Sequence, residues 1–423
     1  MRRQIGVLVG GTAVGQLLVI ASSPLLARLY KPNDFGLLAG YASILSIIGV
    51  VSCFKYELAI PLASDDNDAS NILCLSLLGV IITSIMIAAG IGLVGKEVLL
   101  ILQLSKIAHL VWLLPPGVLI LGTYQALNYW AIRQGDYNIL GATKIYQGGF
   151  LATAQVLLGL LSAGSYGLVF GEIIGRGAGS LKLYRASRQT GFSLINASIT
   201  SMKRNAIRFK RFPLISGLSA VLNTGGLQMP SLLMLGLYGS GEAGFFFFAQ
   251  RIIGLPMSLI GKSVAQVYFG QASQVIRTEP NQLIVLFRGL LKRLTIIGLI
   301  PAVILVLLAQ PIFQFVFGSE WLNSGRFAQL MSPFFFMQFI SVPLSQSLNI
   351  MELQHIQFWW DLLRLIFVVS AIIGVWFLEM SAVTAVAVYS LTMVVCYAVL
   401  LILCYHFINQ RSSRETNAEL IEN

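Results

Sequence analysis

Two stretches decide the fold of this chain: NILCLSLLGVIITSIMIAAGIGLV at residues 71–94 and LTIIGLIPAVILVLLAQPIFQFVF at residues 294–317. Neither contains a charged residue, and each exceeds the roughly 20 residues that a helix needs to cross the bilayer hydrocarbon. Of the 423 residues, 56% are hydrophobic and 11% are charged, too few polar residues to cover a soluble globule. Uninterrupted apolar runs also exclude the alternating pattern of a membrane barrel. The chain is therefore predicted to be an all-α polytopic membrane protein.

Similar apolar stretches fill the chain almost from end to end, and we predict about 12 transmembrane helices. The predicted spans are residues 5–27, 35–55, 70–94, 110–132, 144–162, 165–183, 212–236, 244–268, 290–316, 326–348, 358–378 and 381–407.

Basic residues support this count, because Lys and Arg in short loops stay on the cytoplasmic side. With both termini cytoplasmic, 20 of the 28 Lys and Arg residues fall on the inner side. The net charge of +11 is thereby explained by topology, so it gives no reason to expect a nucleic-acid partner.

A repeated motif divides the chain into two halves. Leu29-Tyr30-Lys-Pro-Asn-Asp34-Phe-Gly36 and Leu237-Tyr238-Gly-Ser-Gly-Glu242-Ala-Gly244 share the pattern L-Y-x3-[DE]-x-G. Each copy joins the first span of a half to its second. We therefore predict an N-lobe at 1–183, a basic cytoplasmic linker at 184–211, a C-lobe at 212–407 and a cytoplasmic tail at 408–423. Two lobes in the same orientation form the parallel repeat of alternating-access transporters.

Ionisable residues inside spans are costly and usually face a cavity or a partner. Arg251 and Lys262 fall in the eighth span, and Lys55 ends the second. We interpret these residues as a cationic cavity for an anionic head group, since Arg and Lys bind phosphate; the alternative is snorkelling or local ion pairing. Glu172 and Arg176 stand four residues apart on one helix, which indicates either a local ion pair or an ion-coupling site.

Neither a catalytic constellation nor a phosphate-binding glycine loop is found in the sequence. Its four cysteines form no CxxC pair, which gives no reason to expect a metal site or a disulfide. A membrane enzyme acting on lipid-linked sugars would need carboxylates on an outer loop, and the first outer loop has only Asp34. A transporter is the favoured interpretation, with an enzyme as the alternative from another class.

Two stretches resemble a known family. ARLYKPNDFGLLAGYASILSIIGVVSCFKYELAIPLASDDNDA at 27–69 and FAQRIIGLPMSLIGKSVAQVYF at 248–269 are similar to the corresponding regions of bacterial polysaccharide transporters. These include the O-antigen flippases of the multidrug, oligosaccharidyl-lipid and polysaccharide exporter superfamily. The resemblance implies a V-shaped pair of six-helix lobes in the inner membrane. It also implies cavity-facing cations, for which Arg28, Lys55 and Arg251 lie at comparable places. Family members often have Arg where this chain has Lys55, so the two-pronged contact of a guanidinium with a diphosphate is lost here.

The resemblance implies a flippase that moves undecaprenyl-diphosphate-linked oligosaccharide from the cytoplasmic to the periplasmic leaflet, for O-antigen, capsule or exopolysaccharide synthesis. We expect no cofactor, with coupling to a gradient of H+ or Na+ as a source of energy. The expected partners are the lipid-linked substrate, the bilayer, and a polysaccharide polymerase with its chain-length regulator. A drug or metabolite antiporter of the same fold remains an alternative, as does an enzyme that polymerises lipid-linked sugars.

Overall fold

The computed structural model of this chain describes residues 2–101, 103–192, 198–278 and 282–422. Over these residues it has 15 α-helices and no β-strand. The helices are α1 (Arg2–Leu29), α2 (Pro32–Gly49), α3 (Asp66–Ile101), α4 (Leu114–Gln134), α5 (Tyr137–Leu160), α6 (Gly164–Gly177), α7 (Ser180–Gln189), α8 (Ile199–Arg208), α9 (Gly217–Leu233), α10 (Ser240–Thr278), α11 (Leu283–Phe317), α12 (Leu322–Leu344), α13 (Gln346–Ile350), α14 (Gln354–Phe377) and α15 (Ala382–Glu422).

Each predicted span overlaps at least one of these helices, and within the described residues six segments are long and apolar enough to cross a membrane. They are Gly6–Leu29, Asp66–Ile101, Leu283–Phe317, Ser319–Ile350, Gln354–Phe377 and Ala382–Gln410. The other predicted spans fall on helices that are shorter or more polar, such as α6 with 14 residues and α9 with 17. The all-α membrane architecture is confirmed.

Two predicted spans end earlier than hydropathy suggests. Helix α2 stops at Gly49 rather than at residue 55, and the chain continues through turns into a 3-10 helix at Tyr56–Leu62. Helix α6 stops at Gly177 rather than at 183, because the backbone turns at Gly179 with φ +92°. A side chain at Gly179 would also press against Thr143. The described residues of the predicted linker, 184–192 and 198–211, are mostly helical, because they include the end of α7 and all of α8.

The structure forms two compact units, residues 1–247 and 248–423. In the first unit, α1 packs closely on α5, because Gly11 and Gly15 lie directly against the backbone of Gly141 and Lys144. Small residues allow this approach between membrane helices. Trp130 on α4 is buried and donates from Nε1 to Thr190 Oγ1 at 2.9 Å. This hydrogen bond links the end of α7 to α4.

The second unit is organised around aromatic side chains. Phe248 is fully buried, with ring centroids 4.1 Å from Trp321 and 4.9 Å from Phe317. Phe334 stacks on Tyr397, which joins α12 to α15. Asp361 and Arg364 form an ion pair at 2.9 Å. Aromatic pairs of this kind contribute beyond their buried area.

Asp65, which precedes the third predicted span, caps α3. Asp65 Oδ1 accepts from the backbone N–H of Asp68 at 2.7 Å, the contact of an N-terminal cap. Asp68 also accepts from Arg204 at 2.8 Å and from buried Asn205 at 3.4 Å, both on α8. The first turn of α3 therefore fastens α8 to the first unit.

The geometry around the repeated motif supports the predicted duplication. Helices α2 and α10 begin at Pro32 and Ser240, an offset of 208 residues that the motif copies share. A Cβ atom on Gly36 would overlap the Ser240 carbonyl oxygen and lie 3.0 Å from the Gly244 nitrogen. In the same way, a Cβ atom on Gly244 would overlap the Pro32 carbonyl oxygen and lie 3.0 Å from the Gly36 nitrogen. The two glycines thus make reciprocal contacts, as a two-fold relation between the copies requires.

Candidate functional site

Lys55 lies in a strained turn beyond the end of α2. Its φ is +61° and that of Phe54 is +50°, and they are consecutive non-glycine residues with left-handed backbone. Such a conformation costs about 1–3 kcal/mol per residue and is found mostly at functional sites. The turn points the Lys55 side chain inward, where it is only 14% exposed. The strained backbone therefore holds the Lys55 ammonium at low solvent exposure.

Glu57 is the ionic partner of Lys55. The ammonium lies 3.6 Å from Glu57 Oε1, and the Glu57 side chain is 2% exposed. Its second oxygen, Oε2, is buried and accepts no hydrogen bond from the residues that the structure describes. Burial raises the pKa of this carboxyl, and the Lys55 ammonium opposes the shift. The pair is incompletely satisfied, since a 3.6 Å contact is too long for a hydrogen bond.

Two helices fasten the connection that carries this pair. Arg133 on α4 donates to the carbonyl oxygens of Ile60 and Ala63 at 3.3 and 2.8 Å. Tyr56 donates its hydroxyl to the Ala206 carbonyl of α8 at 3.3 Å. The Lys55–Glu57 pair thus sits on a connection that α4 and α8 hold in place.

The predicted pairing of Glu172 and Arg176 is present on α6, where Arg176 Nε lies 2.6 Å from Glu172 Oε1. Arg176 also donates to Ser46 Oγ on α2 at 3.2 Å, and its carbonyl accepts from Gln147 on α5 at 3.0 Å. The pair therefore neutralises itself while it links three helices.

The other residues predicted as cationic contacts lie on two helices, α1 and α10. Arg28 lies in the last turn of α1 and is exposed. Arg251 is half-buried in α10, in the second unit. Lys262 also belongs to α10, but its side chain lies outside the described residues. Lys55 and Lys262 are 207 residues apart, one fewer than the repeat offset of 208, and Lys55 follows the end of a helix whereas Lys262 is within one. These two positions are not equivalent in local structure.

Sequence reasoning did not nominate Glu57. The sequence Lys55-Tyr56-Glu57 could have indicated this residue, because it puts a carboxylate close to Lys55 along the chain. In the second unit, Arg364 is buried to 4% exposure, with its guanidinium 4.7 Å from the Trp360 ring centre. Among the described residues, no group of three or more His, Cys, Asp or Glu side chains could hold a metal ion.

Comparison with family models gives one match that covers most of the chain. The model described as "Polysaccharide biosynthesis protein" matches residues 25–326. That range includes both copies of the repeated motif and the Lys55–Glu57 pair. No curated protein matches the sequence significantly.

Solved structures share the fold at low sequence identity. An inward-facing multidrug resistance MATE family transporter of the MOP superfamily is 14% identical and gives a TM-score of 0.77, over 95% of this chain and 96% of that one. The lipid II flippase MurJ is 14% identical, with a TM-score of 0.68 over 98% and 92%. A MOP superfamily transporter from Pyrococcus furiosus is 15% identical, with a TM-score of 0.58 over 97% and 94%. The chain has a transporter or flippase fold, and these neighbours are not enzymes.

Proposed function

Because the chain belongs to the polysaccharide biosynthesis protein family, we propose that it is a flippase for lipid-linked oligosaccharide. The substrate is an undecaprenyl-diphosphate-linked repeat unit. It moves from the cytoplasmic to the periplasmic leaflet of a bacterial inner membrane, for O-antigen, capsule or exopolysaccharide synthesis. Both termini are cytoplasmic in this proposal, and a polymerase with its chain-length regulator receives the product.

The Lys55–Glu57 pair is the observation that carries this proposal. Lys55 lies on the connection between the second and third predicted spans, which the distribution of basic residues assigns to the cytoplasmic side. Its ammonium has a loose 3.6 Å contact with Glu57. A diphosphate carries more negative charge than one carboxylate, so it can displace Glu57 and take the ammonium. A partly buried cation with an exchangeable partner is suited to bind such a head group.

Arg251, Lys262 and Arg28 are the further proposed cationic contacts, and they act at different stages of the passage. The Glu172–Arg176 pair is the proposed place of coupling to H+ or Na+, because a carboxylate bound to one guanidinium can exchange that partner for an ion. No other cofactor enters the proposal.

The experiment measures leaflet exposure of a short-chain lipid-diphosphate oligosaccharide in proteoliposomes. Lys55→Ala and Arg251→Ala are expected to slow transfer at least about tenfold, because a hydrogen bond to a charged group contributes about 1.5–3 kcal/mol. Lys55→Arg should restore transfer. Lys96→Ala, at an exposed lysine of α3, is the matched control and should transfer at the normal rate.

The other outcomes separate the alternatives. Transfer that both alanine variants leave unchanged would support a flippase and refute the cationic site. No transfer of the lipid probe, combined with export of a cationic drug, would indicate an antiporter. Lengthened glycan chains would indicate a polymerising enzyme.

A further inference from the structure

A cavity of about 580 Å³ opens on the first unit where α6 ends. It lies among α4, α5 and the connection from α6 to α7. Its lining includes Leu119, Thr123, Phe150, Ile174, Ser180 and Leu181. The volume is within the range of about 300–1,000 Å³ that small-molecule sites occupy.

The cavity follows from the shortness of α6. Fourteen residues make a helix of about 21 Å, shorter than the roughly 30 Å of bilayer hydrocarbon. The residues after it are Gly177, Ala178 and Gly179, which supply almost no side-chain volume. A side chain at Gly177 would overlap Ile120, so glycine keeps the wall thin. The neighbouring helices thus leave a space that the described part of the chain does not fill.

The open side of the cavity is apolar and exposed. Leu119 is 40% exposed, Phe150 55%, Ile174 44% and Leu181 61%. In a membrane protein such side chains face lipid tails rather than water. A hydrocarbon chain is therefore the occupant that matches this side.

One lining residue of the cavity, Ser180, has an unsatisfied polar group. Its Oγ atom is buried and has no hydrogen-bond partner among the described residues, which is costly for a hydroxyl group. Ser180 is also the first residue of α7, whose N-terminus receives no side-chain cap and has no acidic residue in its first turn. The free N–H groups and the helix dipole favour an anion there. Lys182, in the same turn, adds a positive charge.

We propose that this cavity binds one phospholipid of the bilayer. One acyl chain fills the apolar space between α4, α5 and α6. A phosphate or ester oxygen accepts from the first N–H groups of α7, and from Ser180 Oγ once this hydroxyl has rotated toward the cavity. This site is separate from the Lys55–Glu57 pair, and it does not depend on the function proposed for that pair.

A second apolar cavity supplies an internal comparison. In the other unit, about 220 Å³ opens between α11 and α12 beside Leu299 and Ser332. Here the Ser332 hydroxyl is satisfied, since it donates to the Ala302 carbonyl at 2.9 Å. With no unsatisfied polar group, this cavity is expected to take lipid tails without retaining a particular lipid.

The experiment uses the full chain in nanodiscs that contain phosphatidylglycerol with a photoactivatable group in one acyl chain. Cross-links mapped by mass spectrometry are expected to concentrate on residues 119–123 and 173–181. Thr123→Phe, which fills the cavity, should reduce labelling there at least about fivefold. Ser180→Ala removes one hydroxyl and little volume, so it keeps the test valid if the larger variant misfolds; it should reduce labelling at least about twofold. Leu299→Phe is the control and should leave this labelling unchanged.

Three results would overturn the proposal. The first is labelling of equal strength at the cavity between α11 and α12. The second is labelling that neither Thr123→Phe nor Ser180→Ala reduces. The third is equal labelling by a diacylglycerol probe without phosphate, which would show that the cavity takes only hydrocarbon. None of these readouts involves transfer of oligosaccharide, so their failure leaves the flippase proposal untouched.

Discussion

At Gly36, even the methyl group of alanine should destabilise the protein. Gly36→Ala places a methyl group against the Ser240 carbonyl oxygen, and overpacking of this kind costs about 1–3 kcal/mol. We expect a lower thermal unfolding temperature in detergent, and the same for Gly244→Ala. Gly90→Ala is the control, because a Cβ atom there meets nothing within 4 Å and alanine favours a helix. Equal melting temperatures for Gly36→Ala and Gly90→Ala would contradict the reciprocal contact.

Glu57 is expected to make binding of the diphosphate depend on pH. Burial raises its pKa, so the neutral form persists to higher pH than in an ordinary glutamate. Below that pKa, neutral Glu57 releases Lys55 for the substrate; above it, the carboxylate competes. The other titratable groups that interact with Glu57 are Cys53 and Tyr129, and Arg133 is the cation of α4 that contacts the same connection.

Affinity for a lipid diphosphate should therefore fall as pH rises through the Glu57 pKa, by up to about tenfold for each pH unit. Glu57→Gln should bind tightly and lose this dependence, as measured by titration calorimetry. Glu97→Gln, at an exposed position, should keep the normal profile. A pH profile that Glu57→Gln leaves unchanged would assign the titration to another group.

At the scale of elements, the two partners that Asp68 of α3 has on α8 are expected to contribute unequally to stability. Arg204 is 65% exposed, so its ion pair with Asp68 contributes at most about 1 kcal/mol. Asn205 is 1% exposed, and loss of its acceptor costs about 1–3 kcal/mol. Asp68→Ala should therefore raise hydrogen exchange in Ile199–Arg208 at least about fivefold, and Arg204→Ala should raise it less. Lys203→Ala is the control, with no expected change; similar exchange in all three variants would mean that Asp68 does not fasten α8.

Hydropathy predicted where helices occur far better than where they end. Residues 50–54, VVSCF, extend the apolar run of α2, yet the backbone turns there because Phe54 and Lys55 adopt left-handed conformations. Such turns depend on tertiary contacts that an apolar run does not encode. The burial of Glu57 escaped prediction for the same reason, since it follows from how the 3-10 helix at Tyr56–Leu62 packs on α4 rather than from its neighbours in sequence.

At the scale of the whole molecule, the twelve-span topology can be tested with single cysteines. The four native cysteines are all buried and unpaired, and they are replaced first. Asn33→Cys should react with an impermeant thiol reagent from the outside of intact cells. Lys203→Cys should react only after the inner membrane is opened. Labelling of both from the same side would refute the predicted number of spans between them.

The all-α membrane fold was accessible from sequence because it rests on composition. The charge distribution predicts an orientation, which stays a prediction, and the repeated motif predicts an offset that the starts of α2 and α10 reproduce. Packing was less accessible. Residues 212–247 belong to the same compact unit as residues 1–211, and Gln228 of α9 accepts from Ser43 of α2 at 3.1 Å. Which residues form such hydrogen bonds depends on which face of each helix packs against its neighbour. An almost uniformly apolar sequence does not distinguish these faces.

The reciprocal contact at Gly36 and Gly244 has a consequence for how this sequence can evolve. Each glycine leaves room for the backbone of the other copy, so a larger residue at either position disturbs both copies at once. A duplicated gene segment normally lets its copies diverge independently. Here neither copy can acquire a side chain at this position unless the other retreats. Positions 36 and 244 are therefore both expected to remain glycine in descendants of this chain.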